Sequence, residues 1–264
     1  MHPFASLAVP QHAVGIAWFG QSSFALKDSA GTVIQLDPYF PHERPEERYI
    51  YSESPLDETT LPTDYVLLTH NHRDHTWPES LLRIHGAFPI CRFIGPVESM
   101  QNLREHGIPE ELMTVVTADD IVSLGTMRAH VVWAKPPEGA PEDGIAAPDV
   151  DHLGYVIEAG GVRVYVSGDP INTFAEHDEL IQPIATLKPD IGLLTTHPNE
   201  GEFPYFDGSV ATANKLGLRT AVPAHYACFV KRDYDPAEWA AGFDEGDPEP
   251  LIIPFKGSVV YSVP

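Results

Sequence analysis

A chain of 264 residues with 38 acidic and 16 basic side chains, net charge −22, repels polyanions, which excludes nonspecific binding to DNA, RNA or an anionic membrane surface. At this length, with no Ser/Gly-rich linker, one domain over residues 1–264 with a sizeable core is expected. Two cysteines, Cys91 and Cys228, are too few for a disulfide framework and fit a reducing, cytoplasmic compartment; no run is long enough to span a membrane, and residues 4–9 lack the charged start and long apolar core of a signal peptide.

Residues 14–26 and 32–36 flank the turn Lys27-Asp28-Ser29-Ala30-Gly31 and read as an antiparallel pair. A helix near 79–85 leads to a strand over 90–94, and a second helix over 96–106 stops at Gly107. The middle is strand-rich, with strands at 121–124, 126–134, 153–158 and 162–167, the last two joined by Ala159-Gly160-Gly161. Val162, Val164 and Val166 alternate with Arg163 and Tyr165, the period-two pattern of a half-buried strand. A strand at 191–196, a helix at 209–216 and strands at 220–223, 251–253 and 258–262 complete the chain. Two stretches, 39–61 and 135–151, are dense in Pro and charge and read either as lids or as surface connections.

The most informative stretch is Thr69-His70-Asn71-His72-Arg73-Asp74-His75, directly after the apolar run Tyr65-Val66-Leu67-Leu68. Along an extended segment side chains two apart share a face, so His70 and His72 can hold one cation between their imidazoles. Asp74 and His75, where the chain turns, face a neighbouring position and can hold a second. Thr76-Trp77-Pro78 reads as a helix start, because proline is tolerated in a first turn whose N–H groups have no partner within the helix. The donors therefore sit on a strand-to-helix loop.

A two-cation site needs further donors, and strand ends are the places to look. Asp169 follows the alternating strand, and its two carboxylate oxygens can bridge two cations. His225 follows Val222-Pro223-Ala224, and His152 opens the strand paired with the one ending in Asp169. Trp18-Phe19-Gly20-Gln21 reads as packing around a tight turn. Cys228 is better read as a small buried side chain than as a ligand.

The order His-x-His-x-Asp-His, a distant His, Gly-Asp after a strand and a last His after a strand resembles the ligand order of the metallo-β-lactamase superfamily. Trp18-Phe19-Gly20-Gln21, Leu36-Asp37-Pro38, Phe93-Ile94-Gly95-Pro96, Tyr165-Val166-Ser167-Gly168-Asp169 and Val222-Pro223-Ala224-His225 are similar to the branch containing L-ascorbate-6-phosphate lactonase. The resemblance runs from about residue 15 to 229. It implies an α/β fold, a four-layer αββα sandwich of two mixed β-sheets. It also implies that His70, His72 and His152 hold one metal and Asp74, His75 and His225 the other, with Asp169 between them and Asp37 supporting the metal loop. The chain departs from those lactonases in lacking their extensions at both ends. It also has His152 where some of them have a small apolar residue, so His130 competes for that ligand role; His152 is favoured because a loop mouth meets a metal more easily than a mid-strand position. His197 is either a pocket or metal residue or a structural one.

Two divalent cations, zinc or manganese by their donors and iron as a further option, would acidify a shared water into a bridging hydroxide, with Asp74 orienting it and relaying its proton. No Gly-x-Ser-x-Gly elbow and no phosphate-cradling Gly-x-x-x-x-Gly-Lys occurs. The leading expectation is a metal-dependent hydrolase of a small ester-type bond, a lactone of a sugar acid, with a phosphodiesterase as the alternative. From another class comes an iron-binding redox or sensor protein on the same fold. A small molecule is the expected partner, with no nucleic acid and no membrane, and the sequence is compatible with a homo-oligomer. Arg44, Arg48, Lys135, Lys231 and Arg232 are the cations that could meet an anionic substrate, and Lys231 and Arg232 lie nearest the last histidine in sequence.

Overall fold

Short apolar runs separated by turns fold into two seven-stranded mixed sheets in the computed structural model, which describes residues 1–141 and 145–263. The first sheet takes β1 (Ala13–Trp18), β2 (Phe24–Lys27), β3 (Val33–Leu36), β4 (Tyr65–Leu67), β5 (Arg92–Gly95) and β6 (Met113–Val115) in chain order. The second takes β7 (Ile121–Leu124), β8 (Met127–Trp133), β9 (Leu153–Ala159), β10 (Val162–Val166), β11 (Ile191–Thr195), β12 (Thr220–Ala224) and β13 (Glu249–Pro250), again in order. The final strand, β14 (Ser258–Ser262), returns to the first sheet beside β1. Each sheet starts antiparallel, through β3 in one and β10 in the other, and continues parallel.

Parallel neighbours need crossovers, and the crossovers supply the outer layers. Helices α1 (Pro78–Ala87) and α2 (Val97–Glu105) bury Leu81, Ile84, Met100 and Leu103 against Val66 and Phe93 of the first sheet. On the second sheet, α3 (Asp178–Leu187), α4 (Phe206–Lys215) and the short α5 (Pro236–Ala240) bury Leu180, Ile184, Ala213 and Trp239 against Val132, Val156 and Tyr165. The inner faces meet in a third core that includes Ile16, Leu26, Leu67, Val131, Ile157, Val164 and Val222. Helix, sheet, sheet, helix is the expected four-layer αββα sandwich. No described helix is long and apolar enough to cross a membrane.

Several local expectations need correction. The run 14–26 is two strands, because Gly20 at φ 90° and Gln21 at φ 52° reverse the chain and the Trp18 indole N–H donates to the Gln21 carbonyl. The valine alternation of β10 was read as half-buried, yet both faces are covered: Val162, Val164 and Val166 face the inner core and Tyr165 faces the helices. Helix α3 has no counterpart in the sequence reading, since Pro183 in its middle argues for a break; burial of Leu180, Ile181 and Ile184 outweighs the lost hydrogen bond. Strand β6 and helix α5 were likewise not anticipated. Residues 251–253 are not a strand, and among the described residues their one ladder-like tie is Leu251 N–H to the Ala221 carbonyl.

The stretch 39–61 is anchored rather than loose. Tyr39, Phe40, Tyr49, Leu56 and Leu61 are buried, and the backbone pairs with the far loop through Ile50 N–H to Cys228 O and Val230 N–H to Arg48 O. Of the other lid candidate, 135–151, residues 142–144 lie outside the described residues.

One glycine decides how β10 ends. Gly168 adopts φ 57°, and a Cβ there would stand 2.5 Å from the Leu153 carbonyl oxygen, a backbone atom that cannot swing away. We expect Gly168→Ala to cost roughly 1–3 kcal/mol, read as a thermal midpoint lowered by several degrees. An unchanged midpoint would contradict the crowding at this turn.

Candidate metal centre

Strand ends from both sheets meet at one edge of the sandwich. β3 and β4 run parallel and stop there, as do β10, β11 and β12, while β9 starts there and the β1–β2 turn closes the same side. Backbone hydrogen bonds stitch the sheets across this edge on two sides: Leu153 N–H to Thr69 O, and the reciprocal pair Gln21 N–H to Tyr226 O and His225 N–H to Gln21 O. The Tyr155 hydroxyl adds a bond to the Leu68 carbonyl at 2.6 Å.

Three groups of donor atoms result, each within 4.8 Å of one another: His70 with His72 and His152, His70 with His75 and Asp169, and Asp74 with His75 and His225. At the hub, Asp169 Oδ2 lies 3.3 Å from His75 Nε2, 3.5 Å from His225 Nε2 and 3.9 Å from His70 Nε2. His152 stacks on His70 at a ring separation of 4.1 Å. The β9–β10 ladder sets the start of β9 beside the end of β10, Tyr155 against Val166, and His152, just before β9, reaches the donors with its ring over that of His70.

Asp37 organises the donors from below. It accepts Thr69 N–H (2.8 Å), the Thr69 hydroxyl (2.6 Å) and His75 Nδ1 (2.8 Å). Because the Thr69 hydroxyl gives its hydrogen to Asp37, it offers only a lone pair to His70 Nδ1 at 3.0 Å. His70 Nδ1 must then be the protonated nitrogen. Both histidines are thereby oriented with Nε2 toward Asp169.

Charge and burial act together here. Burial, reinforced by His75 and His152, holds His70 well below the usual histidine range, and burial with Lys135 pushes His152 down to about 3. Burial lowers His225 as well. Burial disfavours charge on His75, but the carboxylates of Asp169 and Asp37 outweigh it and raise that imidazole well above its ordinary value. Burial likewise works against charge on Asp169, yet His75 and His225 hold it well below the usual carboxylate range. Neutral imidazoles at His70, His152 and His225 beside an ionised Asp169 are donors a divalent cation can use, and such a cation would displace the proton that Asp169 and Asp37 favour on His75. The unpartnered atoms point the same way: Nε2 of His70 and His75, both ring nitrogens of His152, Oδ1 of Asp169 and Nδ1 of His225 are buried without a hydrogen-bond partner. Buried polar atoms are rarely left so, and the residues fit a cation-binding role on that count.

The two alternative histidines lie apart from these groups. In β8, Ala129 and Val131 face the inner core, so His130 faces the helix side, 3.6 Å from Glu158 and beside residues of α3. It also sits well inside the sheet, opposite Val156. His197 is buried just past β11, where its Nδ1 accepts the N–H groups of Asn199 and Glu200. His72 is half-buried, and its Nε2 lies 3.1 Å from both oxygens of Asp149. Cys228 is buried at 4.0 Å from an Arg44 nitrogen and outside the donor groups.

Gln21 was read from sequence as packing, and the structure gives it more to do. Its side-chain nitrogen stands 2.7 Å from both Asp74 Oδ2 and His225 Nε2, tying together two members of one donor group that are 204 and 53 residues distant from it. Glutamine is an uncommon partner in such clusters, so residue type gave no signal. The positive φ of Gln21 (52°), Asp37 (42°) and His225 (75°) marks all three as backbone positions held by their surroundings.

Comparison with known proteins adds an independent line. Residues 33–226 match the family model described as the beta-lactamase superfamily domain. A UPF0173 metal-dependent hydrolase from Polaromonas sp. is 26% identical over 275 residues, covering 96% of this chain and 92% of that protein. Among solved structures, Igni18, a metallo hydrolase from the archaeon Ignicoccus hospitalis, superposes with a TM-score of 0.72 at 21% identity, covering 96% of this chain and 100% of the other. An isothiocyanate hydrolase from Delia radicum gut bacteria gives a TM-score of 0.72 at 18% identity, covering 94% and 99%.

Removing the buried carboxylate below the donors tests how far they depend on it. Asp37→Ala strands the Thr69 N–H and hydroxyl and His75 Nδ1, and we expect a loss of about 3–5 kcal/mol in urea unfolding. A loss below about 1 kcal/mol would show that the network is not held by Asp37.

Proposed function

The chain belongs to the beta-lactamase superfamily, and from that premise we propose that it is a metal-dependent hydrolase of a small ester-type bond, with a sugar-acid lactone as the leading substrate class. The observation that carries this reading is the convergence of three imidazole Nε2 atoms on Asp169 Oδ2, with most of those donor atoms buried and otherwise unpartnered. The hydrolase name of the Polaromonas relative supports it. The lactone follows from the sequence resemblance alone.

In this reading His70, His72 and His152 hold one divalent cation and Asp74, His75 and His225 the other, with Asp169 between them; zinc and manganese suit these donors best, and iron is compatible with them. Two bound cations supply an acidified water and polarisation of the substrate carbonyl. The protein's own groups do the rest. Asp74 takes a proton from the attacking water at its carboxylate and returns it to the leaving oxygen as the carbon–oxygen bond breaks. Gln21 holds Asp74 Oδ2 in place for that transfer, through its 2.7 Å amide contact. Asp37 and Thr69 keep the Nδ1 hydrogens of His75 and His70 on the side away from the reacting bond. The ring of Phe203, 4.5 Å from that of His225, walls the site with an apolar surface that keeps bulk water from the imidazole.

The ligand assignment is tested by pairing two variants. His152→Ala should weaken one cation about ten- to a hundredfold or more in a zinc or manganese titration, while His130→Ala should keep metal content and cost about 1–3 kcal/mol of stability. Metal lost on changing His130 and kept on changing His152 would reverse the assignment.

The activity itself is tested with metal-reconstituted protein on lactones, simple esters, phosphodiesters and isothiocyanates, before and after chelation. Turnover of lactones or esters that falls at least about a thousandfold in His72→Ala is expected. Exclusive turnover of phosphodiesters would replace the ester reading, and an iron-dependent visible spectrum without any hydrolysis would replace the hydrolase reading.

A further inference from the structure

Beside Asp74 opens a cavity of about 430 Å³ whose rim is cationic in a protein of net charge −22. Arg48, Arg73, Lys231 and Arg232 line it, against the carboxylates of Glu47 and Asp74. These are four of the chain's 16 basic residues, drawn from three separate segments into one cavity. Where acidic side chains outnumber basic ones by more than two to one, cations usually find carboxylates. Among the described residues the lysine and arginine ion pairs involve Arg83, Arg104, Lys135, Arg163, Lys215 and Arg219, and none involves the four.

Aromatic rings hold three of the guanidinium groups instead. Arg73 lies 4.5 Å from the Trp77 ring, Arg48 lies 5.3 Å from Tyr49 and 5.4 Å from Phe229, and Arg232 lies 5.9 Å from Phe203. A guanidinium stacked by its face has lost little of its donor capacity, since its N–H groups point outward in the plane. Phe203 in turn packs on His225, so Arg232 is one ring away from the metal centre. Two other cations considered from sequence are committed elsewhere: Lys135 pairs with Glu202 at 2.9 Å, and Arg44 donates to the Tyr51 carbonyl with its guanidinium over Tyr49. Arg73 escaped the sequence reading because it sits inside the histidine cluster.

We infer that this cavity is the specificity pocket of the same site and that the substrate is a small anion, its carboxylate or phosphate held by Arg48, Arg73, Lys231 and Arg232 with the scissile bond at Asp74. The inference rests on the hydrolase reading for the bond and on the cavity for the anion. A metabolite-sized ligand fits both the volume and the global charge, because the surrounding acidic surface rejects an extended polyanion while the local rim accepts a single anionic group.

The test compares 4-nitrophenyl butyrate with the mono-4-nitrophenyl ester of adipic acid, which are alike at the scissile ester and differ in charge, using metal-loaded native protein and a variant carrying Arg48→Gln, Arg73→Gln, Lys231→Gln and Arg232→Gln. The native protein should favour the anionic ester about tenfold or more in kcat/KM, through KM, and lose that preference as salt rises to about 0.5 M. The fourfold variant should lose it at every salt concentration, with its metal content and thermal midpoint unchanged, while Arg232→Lys should keep it. Calorimetric titration with phenyl phosphate provides the second arm, with affinity at least about tenfold weaker in the fourfold variant. Equal phosphate affinity in the two proteins, together with an ester preference absent from the native protein or retained by the variant, overturns the inference; a difference confined to the esters assigns the pocket to carboxylates. If neither ester is turned over, the ester reading fails on its own, and the phosphate titration still decides the pocket. A difference confined to phenyl phosphate assigns the pocket to phosphate, and a difference with both probes assigns it to anions in general.

Discussion

Everything at the functional edge depends on Asp169 Oδ2 lying within 4 Å of three imidazole nitrogens in a buried setting. Such an arrangement is costly, because ionisable groups leave water and their polar atoms are left without partners. The fold meets that cost with rigid supports. Asp169 is carried by a glycine turn at the end of β10, His225 by the end of β12, and the remaining histidines by a loop whose Thr69 and His75 are clamped on Asp37. None of these side chains has to be ordered by ligand binding, which leaves more of the binding free energy for orientation of a substrate.

The two sheets meet this demand jointly. His70, His72, Asp74 and His75 come from the first sheet, His152, Asp169 and His225 from the second, and backbone hydrogen bonds from Leu153 and Gln21 lock the sheets at the seam. A shift of one sheet against the other would separate the donors and break those bonds together. The inner core of valine, leucine and isoleucine therefore acts on the site directly, by fixing the spacing of the sheets. Gln21 gains its position from the same seam, since its backbone bonds to residues 225 and 226 and its side chain bonds to Asp74 and His225.

Electrostatics divides the molecule into two regimes. The surface as a whole is acidic, while the cavity beside Asp74 gathers four cations, three of them over aromatic rings. Segment 39–61 contributes Arg48 to this rim with Tyr49 beneath its guanidinium, and its docking on residues 228–230 turns what the sequence offers as a lid or connection into a wall.

Much of the candidate site was legible in the chain. His70 to His75, Asp169 and His225 announce themselves by residue type, by spacing and by position after apolar runs, and these are local properties that survive without a structure. The superfamily fold was legible through the resemblance those residues carry, which the order of strands and helices permits, whereas α3 was hidden by Pro183 and the break in 14–26 lies at Gly20-Gln21, inside the stretch read as packing around a tight turn. What sequence could not decide was which distant residue faces which. His152 and His130 are equivalent as letters; the first lies just before β9, at the edge where β10 ends, and stacks on His70, whereas the pleat of β8 turns the other toward the helices. Gln21 and Arg73 gained their positions in the same way, the first from a turn between two strands and the second from a cavity walled by two remote segments. The division is physical: donor chemistry belongs to single side chains, but proximity belongs to strand register and sheet packing, which arise only when the whole core closes.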